Sequence, residues 1–156
     1  LKDQMLPFAH REFLEAYKQI TRLYDREDKY LVLKGLTEVR FRQVYEYSIE
    51  TRLRQAYIDE GIKYASEALK IYADSRDVNF YLGVMYLNNP QPDDVKAKEQ
   101  FLKVIQLDPL RTEAYVALGE LYYKHRNRAK SRAYIDKALE VDPFNPRARQ
   151  MKSLLE

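Results

Sequence analysis

The chain has 156 residues, 46% of them hydrophobic and 33% charged, with a formal charge of +3. That length makes one domain with a real core, and the apolar content, 14 tyrosines included, argues against intrinsic disorder. The absence of cysteine excludes disulfides, thiolate metal sites and cysteine nucleophiles. So small a charge excess is weak support for nucleic acid or an anionic membrane as partner. The apolar runs are too short to predict a membrane-crossing helix or a signal peptide, and Leu1 in place of a methionine leaves room for a removed segment.

With 4 glycines and 6 prolines, the chain predicts long helices. Phe8, Phe13, Ala16, Tyr17, Ile20 and Tyr24 return at helical spacing until Asp25-Arg26-Glu27-Asp28 interrupts them. Tyr30, Leu33, Phe41, Val44, Tyr45, Ile49 and Leu53 predict one or two further helices, with a turn near Leu53 to Ile58 and a clear amphipathic segment from about Asp59 to Tyr72.

Asp74-Ser75-Arg76-Asp77 offers short polar side chains that cap the free amides of a helix carrying Phe80, Val84 and Leu87. Asn88-Asn89-Pro90-Gln91-Pro92-Asp93 predicts a loop. The next helix carries Ala97, Phe101, Val104 and Leu107 and closes at Asp108-Pro109. Ala114 to Tyr123 and Lys130 to Val141 make another pair. Asp142 to Pro146 then leads into a short last helix with Ala148, Met151, Leu154 and Leu155.

Internal repetition is the most informative signal. Leu82, Gly83 and Tyr86 recur as Leu118, Gly119 and Tyr122 at 36 residues, while Ala97, Phe101, Val104 and Pro109 recur as Ser131, Ile135, Ala138 and Pro143 at 34. The first comparison crosses the Asn88 to Asp94 loop, and two extra residues there account for the difference. The same correction places Gly61, Ala65 and Ala68 36 residues before Ala97, Phe101 and Val104, which marks a weaker upstream copy.

Tyr115-x-x-Leu118-Gly119-x-x-Tyr122, followed by Ser131, Ile135, Ala138 and Asp142-Pro143, resembles the tetratricopeptide repeat. Asn79-x-x-Leu82-Gly83-x-x-Tyr86, followed by Ala97, Phe101, Val104 and Asp108-Pro109, resembles it almost as well, with Asn79 in place of the usual aromatic. The upstream copy departs from the pattern: its first helix would place Tyr45, Ser48, Ile49 and Arg52 where the later copies have Asn79, Leu82, Gly83 and Tyr86. A branched Ile49 in a glycine position widens or rotates the helix contact.

The resemblance implies an all-α, right-handed superhelix of stacked antiparallel hairpins within a single domain spanning residues 1–156. It divides into an amino-terminal helical extension at 1–41, a divergent unit at 42–76, repeats at 77–110 and 111–145, and a capping helix at 146–156. Each hairpin needs its neighbour to bury its apolar stripe. Gly83 and Gly119 then remove Cβ atoms at helix contacts, Leu82, Tyr86, Leu118 and Tyr122 fill space between hairpins, and Ala97, Ser131 and Ala138 mark close approaches. In the cap, Ala148, Met151 and Leu155 cover the last hairpin while Arg147, Arg149, Gln150 and Lys152 face water.

The resemblance also implies a concave surface lined by Phe80, Val84, Leu87 and Asn88 in one repeat and by Val116, Glu120, Tyr123 and Lys124 in the next. A surface that mixes aliphatic, aromatic and charged groups suits a protein or peptide segment, unless the amino-terminal helices fill it or another surface carries the function. Relatives that grip acidic chaperone carboxyl termini do so with lysine and asparagine. Phe80, Val84, Val116 and Glu120 at the corresponding positions argue against that specificity.

Lys124, Arg126, Arg128, Lys130 and Arg132 form a basic run across a turn, readable as a solvated edge or as a contact for an acidic protein or a phosphate backbone. His10 and His125, the two histidines, belong to no HExxH or metal-ligand spacing, and local hydrogen bonding or exposure accounts for them. Glu12 with Glu15 and Glu46 with Glu50 read as solvated helix faces. There is no glycine-rich phosphate loop. The sequence therefore predicts a noncatalytic, cofactor-free interaction scaffold or adaptor. The alternatives are a structural module that self-assembles or packs on another domain through Phe8, Tyr17, Tyr30 and Phe41, and, less favoured, a nucleic-acid-binding helical module. Nothing in the sequence sets its location.

Overall fold

The computed structural model describes residues 2–20, 26–45 and 51–156, with side chains described for residues 7–19, 26–45 and 53–156. These residues form eight helices: α1 (Lys2–Ile20), α2 (Arg26–Tyr45), α3 (Thr51–Ile71), α4 (Arg76–Asn88), α5 (Asp94–Leu107), α6 (Thr112–Lys124), α7 (Arg128–Val141) and α8 (Pro146–Leu155). Among the described residues there is no strand. No helix among the described residues is long and apolar enough to cross a membrane.

Four helix starts follow from short polar side chains that accept first-turn amides, whereas Arg111 at the start of α6 gives no side-chain cap. Ser75 accepts from Val78 N, Asp93 from Lys96 N, Asn127 from Lys130 N and Asn145 from Ala148 N. Pro146 occupies the first turn of α8, where a missing N–H costs nothing. The two Asp-Pro turns are built alike, with Asp108 Oδ1 accepting from Leu110 N at 3.2 Å and Asp142 Oδ1 from Phe144 N at 3.0 Å.

Successive helices pair as α2 with α3, α4 with α5 and α6 with α7, and each hairpin leans on the next; α1 packs on α2, and α8 on α7 and α6. The repeat of residues is a repeat of environments. Leu82 packs with Ala65 and Ala68 of the preceding hairpin, as Leu118 packs with Phe101 and Val104 of its own predecessor. Gly83 lies against Phe101, as Gly119 lies against Ile135. Lys96 sits over the Tyr86 ring and Lys130 over Tyr122. Asn79, standing where an aromatic is expected, is buried and donates from its amide to Ala73 O and Ser75 O, tying down the turn before α4.

The upstream hairpin differs from expectation. Leu53 to Ile58 is not a turn but part of α3, which begins at Thr51 rather than near Asp59. Arg, Gln and Ala are good helix formers, and Ile58 is buried with Val44 and Met85, so the segment gains by continuing the helix. Tyr45 ends α2 and Arg52 lies in the first turn of α3, so they do not share one helix; Ser48 and Ile49 lie outside the described residues, as does Tyr24. This hairpin carries a glycine on each helix: Gly35 on α2, close against the Phe13 ring of α1, and Gly61 on α3. A Cβ on Gly61 would meet Met85 at 2.5 Å and Arg40 Cβ at 3.2 Å, so Gly61 admits both α2 and a side chain from α4. Arg26, Glu27 and Asp28 stand at the expected break between the first two helical patterns and form the first turn of α2, where acids complement the helix dipole.

The cap covers the last hairpin with Ala148, Met151 and Leu155, all buried. Two of its other residues depart from simple solvation: Lys152 pairs with Asp136 at 2.5 Å, and Arg147 pairs with Glu120.

Candidate functional site

The described residues enclose a hollow of about 340 Å3. Its walls come from five helices and one turn. Phe80, Val84, Leu87 and Asn88 line it from α4, Glu113, Val116, Ala117 and Glu120 from α6, Phe101 from the floor, and Asn145, Pro146 and Arg147 from the start of α8. On α4 and α6 the spacing of three, four and seven residues puts these side chains on one helix face. Of the eight positions the sequence singled out, six meet here. Tyr123 and Lys124 do not line it: Lys124 reaches away to Asp94, with Nζ 2.7 and 2.9 Å from its carboxylate oxygens. Val116 is almost wholly buried, packed with Ala138 and Ala148, so it contributes more to the core than to the open surface.

The remaining wall is one the sequence did not reveal. Phe41 and Tyr45, one turn apart on α2, close the groove on its amino-terminal side. The Phe41 ring lies 4.5 Å from that of Tyr81 and 6.4 Å from that of Phe80. Tyr45 donates its hydroxyl to Val84 O at 3.3 Å, and burial pushes its phenol well above the ordinary value, with Arg54 opposing. Helix α2 thus builds one side of the groove. Its signal in the sequence, an aromatic pair at i and i+4, is also the signal of ordinary core packing.

Three charged side chains line the hollow, and they are two acids and one base. Glu120 takes a two-pronged contact from Arg147, with Nε 2.5 Å from Oε1 and Nη2 2.9 Å from Oε2. Glu113 is met at 3.2 Å by Arg111 Nε, and the Arg111 guanidinium lies 4.8 Å from the Phe80 ring centre and 3.9 Å from Asp77. Asp77 in turn accepts from Lys34 at 3.0 Å.

The basic run stays exposed, but most of it is engaged in contacts within the chain. Arg128 and Arg132 donate to the carbonyls of Leu154 and Leu155, the unsatisfied end of α8. Lys130 covers the Tyr122 ring, which is itself stacked on Tyr134 at 5.4 Å. Arg126, with φ of 58°, makes the left-handed turn between α6 and α7. A second hollow of about 310 Å3 lies beside this turn, lined by Asp94, Val95, Lys98, Leu121, Tyr122, His125 and Asn127. Burial alone would raise Asp94, but the hydrogen bonds from Lys124 and His125 hold it below the usual carboxylate value.

Three of the four residues considered for self-assembly are engaged within the chain. Tyr17 donates to Glu67 at 2.7 Å, Tyr30 donates to Ser75 at 2.7 Å and meets Tyr72 edge-on, and Phe41 is in the groove wall; Phe8 is half exposed. His125 is exposed and hydrogen-bonded to Asp94 at 2.8 Å. His10 differs from expectation: its Nε2 is buried without a hydrogen-bond partner, beside Arg40 and Glu60. Arg40 itself is buried, donating to Glu60 and Gln43 with its guanidinium 4.0 Å from the Tyr57 ring centre. No group of three or more His, Cys, Asp or Glu among the described residues could hold a metal ion.

Residues 112–145 match the family profile of the tetratricopeptide repeat. No curated protein matches the chain. Among solved structures, the chain is similar to MamA, at 16% identity and a TM-score of 0.73, over 99% of this chain and 78% of that one. It is similar to YrrB, described as a TPR protein with an unusual peptide-binding site, at 19% identity and a TM-score of 0.69, over 97% and 68%. It is also similar to the first TPR of Spaghetti (RPAP3) bound to HSP90 peptide SRMEEVD, at 18% identity and a TM-score of 0.68, over 84% and 92%. At these identities the likeness is one of fold.

Proposed function

From a chain that carries a tetratricopeptide repeat and has the tetratricopeptide-repeat fold throughout its stacked hairpins, we propose a noncatalytic scaffold that holds a segment of a partner protein in the groove between α2, α4, α6 and α8. The observation that carries this reading is the hollow itself: six of its lining residues are positions that the repeat register predicts for the concave face. Its volume of about 340 Å3 falls within the range of small ligand sites, roughly 300 to 1,000 Å3. Phe41, Tyr45, Phe80, Val84 and Leu87 supply apolar wall, where bulky anchors give most binding energy. Peptide recognition by the similar domain of Spaghetti and by YrrB supports the class of partner.

The test is a peptide-display library panned on the wild-type chain and counter-screened on two variants whose native helical content and unfolding are verified first. Asn88→Trp occludes the groove from an exposed position, and Val84→Glu puts a charge on its apolar wall. Selected peptides should bind each folded variant at least about tenfold more weakly, a difference of some 1.4 kcal/mol. Peptides that bind both variants as tightly as the wild type would place recognition elsewhere.

A further inference from the structure

We infer that the groove selects a segment in which a bulky apolar side chain is accompanied by a lysine or arginine, and that Glu120 is the carboxylate receiving that charge. This rests on the groove reading above and specifies its ligand. The argument is an asymmetry between the two members of one ion pair. Glu120 belongs to the groove wall, on α6, with its side chain only 25% exposed. Arg147 comes from the first turn of α8 and is 70% exposed.

An acidic ligand at the free Nη1 of Arg147 would face the Glu120 carboxylate, and one that took the paired Nε and Nη2 would have to draw Arg147 off Glu120. That would leave a partly enclosed carboxylate with no counter-ion, and a broken pair of this kind is costly because one charge remains away from water uncompensated. A basic ligand does the reverse. Its ammonium or guanidinium takes the Glu120 carboxylate directly, and Arg147 swings into solvent that already surrounds most of it. Releasing a long exposed side chain costs little and returns its conformational freedom.

The rest of the lining agrees. Glu113 lies two turns before Glu120 on the same face of α6, and Arg147 is the single base among the residues that line the hollow. Arg111, which meets Glu113, is held in turn by Asp77 and the Phe80 ring, so it is already committed. Arg147 therefore acts as a removable internal counter-ion: it occupies the acceptor until a ligand of the same charge displaces it.

Peptides from the panning are the probe, measured by fluorescence anisotropy in low salt. Sequences that depend on the groove should carry Lys or Arg beside a large apolar residue. Changing that base to Gln should weaken binding about tenfold and changing it to Glu more, in keeping with the coupling of close charge pairs at interfaces. Glu120→Gln should remove the difference between the basic and the Gln peptide, while Arg147→Ala should tighten the basic peptide several-fold. Groove-dependent peptides that are acidic or indifferent to the swap would overturn this inference and leave the groove reading intact. Peptides insensitive to Asn88→Trp and Val84→Glu, or a panning that selects none, would overturn both.

Discussion

Gly119 and Ile135 are fitted to each other: a Cβ on Gly119 would stand 2.6 Å from Cδ1 and 2.7 Å from Cγ1 of Ile135. Ile135 is fully buried, so displacing it shifts close-packed neighbours. Gly119→Ala should therefore destabilise the chain by about 1 to 3 kcal/mol, the usual cost of overpacking. Ile135→Val on its own should cost about 0.5 to 1.5 kcal/mol, and less when Gly119→Ala is present because it removes Cδ1, one of the two atoms in the way. Urea unfolding of the four proteins gives the comparison, and strictly additive losses would refute the fit.

Acid should weaken the docking of α1. Burial, and then the nearby Arg40, hold the His10 imidazole below its ordinary 6.5, with Glu60 opposing. A base depressed in the folded state is protonated more readily in the unfolded one, so stability is complete above pH 6.5 and is lost as pH falls towards the folded value. Thermal unfolding between pH 7.5 and 5 should show this decline, and His10→Leu should flatten it. An unchanged slope in that variant would assign the decline to other groups.

The alkaline limit involves Tyr17. Burial first, and then its hydrogen bond to Glu67, push the phenol up to about 12. A group raised in the folded state contributes fully below its unfolded value near 10 and loses that contribution as pH rises to about 12. Tyr17→Phe should cost about 1 kcal/mol at pH 7, as for loss of a partly exposed hydrogen bond to a carboxylate. Against the wild type, it should also lose less stability between pH 10 and 12, by chemical denaturation at each pH.

Replacing Arg132 and Arg128 by alanine should loosen α8 rather than abolish a nucleic-acid contact. Both donate to carbonyls at the end of that helix, where a cation also complements the helix dipole, at about 0.3 to 1 kcal/mol each. Hydrogen exchange of the α8 amides should quicken in the double variant. Protection equal to the wild type would show that these arginines do not hold the cap.

The two later hairpins were legible because their sequence carries explicit punctuation. Leu82-Gly83 and Leu118-Gly119 mark the close approaches, and Ser75, Asp93, Asn127 and Asn145 mark the helix starts. The upstream hairpin has no such markers. Its glycines, Gly35 and Gly61, follow no leucine and fall outside the Leu-Gly register of the later repeats, and Tyr57 and Ile58 extend the apolar face of α3 with no residue to stop it. Buried Arg40 was hidden for another reason: its partners Glu60 and Tyr57 come from across the hairpin, and sequence spacing does not report them. The groove was half visible. Concave positions follow repeat register, whereas Phe41, Tyr45 and Arg147 enter through packing between non-equivalent helices. Glu120 and Arg147 are 27 residues apart, and only the fold makes them neighbours.

The aromatic wall from α2 determines how small a working fragment can be. A piece starting at Asp77 would keep both repeat hairpins and the cap, yet lack Phe41 and Tyr45, leaving Phe80 and Val84 open to solvent on one flank. Dissection of the chain by repeat boundaries would then yield fragments that look intact by helical content and are deaf to the ligand.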